Sequence, residues 1–243
     1  MSVTRSLAKL ITNYDDPRSI GFKLRAKRIN HLISMIDDVF EREGRVNILD
    51  IGGTKAYWKI LPQEMIEAKK IYITILNIPG LSMPSDEEHF QYIERDGCNL
   101  SNYKDNSFNI VHSNSVIEHV GDWDRMVQFA NEVSRLAQNY YVQTPYYWFP
   151  VEPHCMTPFF HWLPKPIRVS LIMKFNLGYF SRADSVDIAV RTVEGARLLD
   201  KKMFRELFKE AEIITEKLFF LPKSLIAVGR KDLSRIKLGS AAK

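Results

Sequence analysis

The stretch from 46 to 58, VNILDIGGTKAYW, constrains the fold more than any other. Val46, Ile48, Leu49 and Ile51 make a short apolar run, mostly β-branched, and Gly52-Gly53 closes it. Such a run suits a strand buried on both faces of a parallel sheet. Asp50 stands near the carboxyl end of that strand. Paired glycines there let the backbone turn sharply and come close to a ligand. Open α/β sheets bind ligands at the carboxyl ends of their strands, so this turn is the first candidate site. It is not a dinucleotide fingerprint, because positions 54 and 57 are Thr54 and Tyr57 rather than glycine, and no G-K-[ST] follows to make a P-loop.

The rest of the chain repeats a strand–helix rhythm. Leu24, Ile29, Leu32, Ile33, Ile36 and Phe40 recur at helical spacing and predict a long helix over 20–40. After the first strand a helix is expected through about Leu61, ended by Pro62. Further strands are expected at 70–76, 90–93, 108–112 and 139–144. Asp122 reads as the cap of a helix whose buried stripe is Trp123, Met126, Val127, Ala130 and Val133. A helix over 200–211, with Met203, Phe204, Leu207 and Phe208 on one face, precedes two last strands at 212–219 and 223–228. Strands alternating with helices imply an α/β fold with a doubly wound, mostly parallel sheet.

Composition narrows the class. A chain of 243 residues with a net charge of +5 is mildly basic, too little to argue for nucleic acid. Its two cysteines, Cys98 and Cys155, offer neither a disulfide framework nor a zinc cluster and fit a reducing cytoplasm. No run of 18 apolar residues and no signal-peptide core are present. Val3, Leu7, Leu10 and Ile11 give 1–14 an amphipathic pattern, and 167–175 is weakly amphipathic. Both read as packed helices, with peripheral contact at the inner face of a membrane as the alternative. Lys23, Arg25, Lys27 and Arg28 form a solvated face or a docking surface for an anionic substrate.

Three segments carry a family resemblance. Asp50-Ile51-Gly52-Gly53-Thr54 resembles the first motif of class I, Rossmann-like S-adenosylmethionine (SAM)-dependent methyltransferases, departing from D-x-G-x-G at Thr54. Asp96-Gly97-Cys98-Asn99-Leu100, followed by Asp105-Asn106-Ser107-Phe108-Asn109-Ile110-Val111, resembles the DATNLPFPDNSFDVV pattern of the type-11 family. Ser113 to Val120, with Val116-Ile117-Glu118-His119-Val120, resembles that family's fourth motif. The resemblance implies a seven-stranded methyltransferase sheet, SAM as cofactor, S-adenosylhomocysteine (SAH) as product, and no metal. It assigns the cofactor to Asp50, Gly52, Gly53, Thr54, Asn77, Ile78, Asp96, Gly97, Cys98, Asn114 and Ser115. Asn77 stands where the family has an acid for the ribose hydroxyls, and its carbonyl accepts such a bond without charge. Asp96 inherits the adenine amino group, and the Gly97–Cys98 backbone the adenine ring.

One domain is expected over 1–243. It has a helical cap (1–43), a SAM-binding core (44–144), a lid over the substrate (145–200), a terminal helix and antiparallel strands (201–230) and a loose tail (231–243). The lid is rich in proline and aromatics, which suits a stiff apolar wall against sugar rings, planar acceptors or acyl groups. Glu118, Trp148, His161 and Trp162 are the candidate substrate contacts. A hydroxyl acceptor needs a base: His154, beside Pro153, is the first candidate, His119 the second and His161 the third. For each the alternative is a histidine that fixes its loop by hydrogen bonding. The N-P-P-[FYW] box and the Pro-Cys nucleophile of nucleic-acid methyltransferases are absent after the fourth strand. The reading is O-methylation of a hydroxyl on a sugar, glycan or small metabolite, as in surface-polysaccharide synthesis. The rivals are a phenolic or carboxylic acceptor, a non-catalytic SAM/SAH-binding partner, and an interaction module without cofactor.

Overall fold

The computed structural model describes residues 20–218 and 220–230. The amphipathic stretch 1–14, the tail 231–243 and the side chains of the basic run 23–28 lie outside the described residues. Helix α1 (Ile20–Glu43) leads into strand β1 (Val46–Ile51), then short helices α2 (Lys55–Trp58) and α3 (Gln63–Ala68). There follow β2 (Ile71–Asn77), β3 (Phe90–Glu94), β4 (Ile110–Asn114), a 3₁₀ turn (Ile117–His119), α4 (Trp123–Leu136) and β5 (Asn139–Pro145). The sequence 145–200 holds a small hairpin of β6 (Val151–Glu152) and β7 (Thr157–Pro158), a second 3₁₀ turn (Phe160–Trp162), α5 (Lys165–Lys174) and α6 (Val186–Glu194). Helix α7 (Lys201–Leu207) and strands β8 (Glu212–Leu218) and β9 (Leu221–Gly229) end the described chain.

The strands form one seven-stranded sheet in the order β3-β2-β1-β4-β5-β9-β8. The first five run parallel, and β9 lies antiparallel to both β5 and β8. This is the expected Rossmann-like methyltransferase topology, with the terminal pair completing the sheet. Strand alternation divides the core. Leu49, Ile51, Val111, Tyr140 and Val142 face α4 and α7, while Val46, Ile48, Ile110, Tyr141 and Ile226 face α1 and Trp58. Residues such as Leu49, Ile48 and Val111 are fully buried, as the apolar run in β1 requires.

Several expectations shift. Pro62 does not simply end a helix: it sits at the N-cap of α3, where its fixed φ and missing N–H are harmless. β4 starts two residues late and runs to Asn114, because Asn109 caps the neighbouring strand: its Oδ1 accepts from Asn47 N–H (2.7 Å). Leu221-Pro222 does not separate the last strands but lies in β9, opposite a bulge between Glu216 and Lys217 that spares Pro222 a ladder donor. The α4 stripe is Met126, Phe129, Ala130, Val133 and Leu136, and Trp123 is 38% exposed. Asp122 caps α4 as read, accepting from Arg125 N–H. The terminal helix is α7 alone, capped by Asp200, with Phe204 buried and Met203 on the outside.

Candidate functional site

Parallel register puts Asp50 of β1 beside His112 of β4, and His112 beside Tyr141 of β5. The Asp50 carboxylate is fully buried. Its Oδ1 accepts from His112 Nδ1 (2.7 Å) and its Oδ2 from Trp58 Nε1 (2.7 Å). His112 stacks on Tyr141, ring centroids 5.7 Å apart and 11° between planes. Both carboxylate oxygens are therefore held from inside, and Asp50 acts as the anchor of α2 on the sheet. The glycine turn follows from this packing. Gly52 has φ +72°, and a Cβ there would meet Val116 at 2.4 Å. A Cβ on Gly53 would lie 1.7 Å from Asp50 Oδ2. Gly53 is thus demanded by the Asp50 carboxylate, a reason other than the close approach of a ligand.

The remaining cofactor candidates line the carboxyl ends of β1 to β4. Thr54 and Ile78 are exposed, Ile78 by 61%. Asn77 donates through Nδ2 to Gly53 O (3.0 Å), so its carbonyl is the atom turned to accepting. Gly97 is buried, and a Cβ on it would strike Ile51. Asp96 departs from its reading in part. Its Oδ1 accepts from Cys98 N–H (3.0 Å), so that amide is spent within the turn. Its Oδ2 accepts from Arg125 (2.6 Å). Partial burial raises the Asp96 pKa, but the bonds from Arg125 and Cys98 outweigh it and hold the carboxyl below its ordinary range. Burial pushes the Cys98 thiol up to about 11. Asn114 ends β4, and Ser115 follows at φ +58°, its N–H bonded to Gln143 O and its Oγ to Gln143 Oε1. Polar atoms at successive strand ends around one turn fit SAM, while both Asp50 oxygens are turned to Trp58 and His112.

Beyond β4 and β5 the chain gathers four ionisable side chains. The 3₁₀ turn after β4 presents Glu118 and His119, and the loop after β6 presents His154. His119 Nδ1 donates to Gly195 O (2.6 Å), and His154 Nδ1 donates to Glu152 Oε1 (2.7 Å). The two Nε2 atoms then face each other at 3.0 Å. Glu152 also accepts from Cys155 N–H through Oε2 (2.7 Å). Burial lowers the proton affinity of both imidazoles, and for His154 the Glu152 carboxylate reverses this, so its pKa ends above the ordinary value while that of His119 ends below. Burial raises Glu152 too, but His154 and the Cys155 amide bring it below the usual range. Glu118 is fully buried and pushed up to about 7 by that burial. Its Oε2 accepts from Thr144 Oγ1 (3.0 Å), and its Oε1 is buried without a hydrogen-bond partner among the described residues.

The histidines offered as alternatives are thus two parts of one cluster, while His161 is separate. His161 Nε2 donates to Tyr147 O (2.7 Å), as does Trp162 Nε1 (2.9 Å), so His161 fixes the segment after β5 rather than joining the pair. A cavity of about 500 Å³ opens against Glu152, lined by Tyr147, Phe160, His161, Trp162 and Arg168. Arg168 Nε is buried there without a hydrogen-bond partner among the described residues. Trp148 is 56% exposed and its ring lies 5.9 Å from Trp162. A larger groove of about 970 Å³ runs between α4 and α7, lined by Tyr140 and Phe208, away from these groups. Glu152, Thr144, His112 and Arg125 were not singled out from the sequence. Glu152-Pro153-His154 offered a local signal for the first, and the others join the site only through strand order and the packing of α4.

Residues 63–139 match the type-11 family whose description is "Methyltransferase domain". No curated protein matches the sequence. Among solved structures the chain is similar to a SAM-dependent methyltransferase from Archaeoglobus fulgidus, at 12% identity and a TM-score of 0.52, covering 86% of this chain and 94% of that one. A second similar structure is the 1,6-didemethyltoxoflavin-N1-methyltransferase of Burkholderia thailandensis with bound 1,6-didemethyltoxoflavin and S-adenosylhomocysteine. It shares 12% identity and a TM-score of 0.48, covering 95% of this chain and 91% of that one. At these identities the first likeness bears on the fold. Among the described residues no helix is long and apolar enough to cross a membrane.

Proposed function

We propose that this SAM-dependent methyltransferase, which carries a type-11 methyltransferase domain, methylates a hydroxyl oxygen on a sugar, glycan or other small metabolite. The observation that carries this reading is the Glu152–His154–His119 relay, whose Glu152 lines a cavity of about 500 Å³. That size suits a small acceptor. Tyr147, Phe160 and Trp162 supply apolar wall, and Arg168 Nε supplies a buried donor for an acceptor oxygen.

SAM, when bound, would supply a methyl on sulfonium for in-line transfer to the acceptor oxygen, with SAH as the leaving product. Asn77 and Asp96 orient the nucleoside end at the tips of β2 and β3, and Asn114 and Ser115 border the reacting end. The lid excludes water around the reacting oxygen. That oxygen must lose a proton as its bond to carbon forms. With both Nδ1 atoms committed as donors, the pair takes the proton between its two Nε2 atoms, and the Glu152 carboxylate balances the charge. A hydroxyl acceptor needs this help, whereas a carboxylate acceptor arrives already deprotonated.

The test supplies SAM and a panel of sugars, alcohols, phenols and carboxylic acids and follows SAH release. Turnover on a hydroxyl compound that falls at least about a hundredfold in His154→Ala, with SAH affinity retained, supports the reading. Turnover restricted to carboxylic acids, or unchanged in His154→Ala, refutes it.

A further inference from the structure

The face-to-face imidazoles have a second use. A carbonyl oxygen can only accept, so Gly195 O fixes the His119 proton on Nδ1. The Glu152 carboxylate does the same for His154. Both Nε2 atoms therefore bear lone pairs, and they point at each other across 3.0 Å. Two bare lone pairs at that distance repel unless a proton or a cation lies between them. A carboxylate oxygen of Glu118 stands by: one atom from each of Glu118, His119 and His154 lies within 4.8 Å of the others.

We infer that Glu118, His119 and His154 form a binding site for a divalent first-row transition-metal ion. Two imidazoles and one carboxylate are the donor set that such ions prefer over magnesium or calcium. Each donor is backed from behind as metal ligands require. Glu152 holds His154, Gly195 O holds His119, and Thr144 Oγ1 holds Oε2 of Glu118 while its Oε1 is left buried without a partner. An ion about 2.1 Å from each Nε2 would see the nitrogens at roughly 90°, the cis angle of an octahedral shell, whereas a tetrahedral ion would hold them about 3.4 Å apart. No two of the three donor atoms lie more than 4.8 Å apart, against ~4.2 Å for a trans pair, so closing the site needs a shift of under about 1 Å. The sequence pointed to no metal because its third ligand lies thirty-five residues from its second.

Three protein ligands leave coordination positions open. An acceptor hydroxyl bound there would lose its proton more readily, to a water held at another open position, with the ion in the place of the shared proton. That role rests on the hydroxyl reading above; the binding itself does not.

The test uses the full chain, untagged and stripped with a chelator, titrated with Co²⁺ by calorimetry and visible absorption, without SAM or acceptor. One site of micromolar or tighter affinity is expected, with d–d bands of nitrogen and oxygen ligation. His119→Ala and His154→Ala each weaken it at least about tenfold. Part of His119 reaches the surface while its ring packs on His154, and far-UV circular dichroism checks that its removal leaves folding intact. His89→Ala, at the opposite end of β2, leaves binding unchanged. Failure of the folded chain to bind Co²⁺, or binding that survives both substitutions, overturns the inference. Co²⁺ binding as expected beside methyl transfer confined to carboxylic acids would refute the hydroxyl reading and leave the metal site standing.

Discussion

Asp50→Asn separates a structural acid from a cofactor-binding one. In the structure both Asp50 oxygens accept, one from Trp58 Nε1 and one from His112 Nδ1, with no exposure to solvent. The amide of asparagine accepts from one donor, and its NH₂ faces the other. His112 can respond by moving its proton to Nε2, but Nε2 is buried and has no hydrogen-bond partner among the described residues. Either way one buried donor goes unsatisfied, at about 1–3 kcal/mol. Loss of charge assistance in the surviving bond adds about 1–2 kcal/mol. Relief of the buried carboxylate offsets part of this. The net loss is expected to be about 2–4 kcal/mol, or roughly 4–16 °C in Tm for a domain of this size. Urea unfolding and a thermal scan measure it, and SAH calorimetry runs on the same samples. The expected pattern is lower stability with SAH affinity within a few-fold of wild type at 10 °C. A stability loss below about 0.5 kcal/mol together with abolished SAH binding would refute the reasoning, since it would mean that Asp50 serves the cofactor and not the packing of Trp58.

Gly53→Ala drives a Cβ into Asp50 Oδ2, so it should lower the urea midpoint by more than Gly44→Ala, whose Cβ meets no described atom within 4 Å and whose cost is the roughly 1–2 kcal/mol of an alanine at φ +69°. Arg125→Ala should cost under about 1 kcal/mol, because the pair with Asp96 is over a third exposed on both sides. The folded-state pKa of Asp96 is depressed, so this contribution is present above the unfolded carboxyl pKa. It fades as pH falls through the folded value, and the two unfolding curves should converge in acid. Cys98 and Cys155, raised by burial to about 11 and 12, should resist a disulfide reagent at pH 8 in the native chain and react fully in guanidinium. Rapid native labelling of either would show that its turn opens.

The sheet was legible because each strand of a doubly wound fold is a short, self-contained apolar run. Val46–Ile51 and Asn139–Pro145 announce themselves through β-branched and aromatic residues and through the Gly52-Gly53 and Pro145 that stop them. What local pattern cannot show is a partner across the sheet. Asn109, which stands where the DATNLPFPDNSFDVV pattern has an Asp, sets the start of β4 by bonding Asn47 sixty-two residues away. Pro222 reads as a strand breaker, yet the bulge at Glu216/Lys217 accommodates it within β9.

The site shows the same limit more sharply. Asp50 and Asp96 were found by motif, and motif implied a cofactor contact for each. The structure spends both oxygens of Asp50 on Trp58 and His112, and engages one oxygen of Asp96 with Arg125 and the other with its own turn. Motif thus locates an acid without saying which way its lone pairs are used. For the histidines the error ran the other way. His119 and His154 were weighed as competing bases because sequence treats them as separate positions. Strand order β1-β4-β5 brings the turn after β4 against the segment after β5, and the competition becomes a contact of 3.0 Å between two nitrogens. Once both Nδ1 protons are fixed by Gly195 and Glu152, neither imidazole acts alone. A proton or a metal ion bound by one is shared with the other. His119→Ala should therefore impair methyl transfer nearly as much as His154→Ala, and the double variant little more than either. Additive losses in kcat/KM would mean that the two rings work independently.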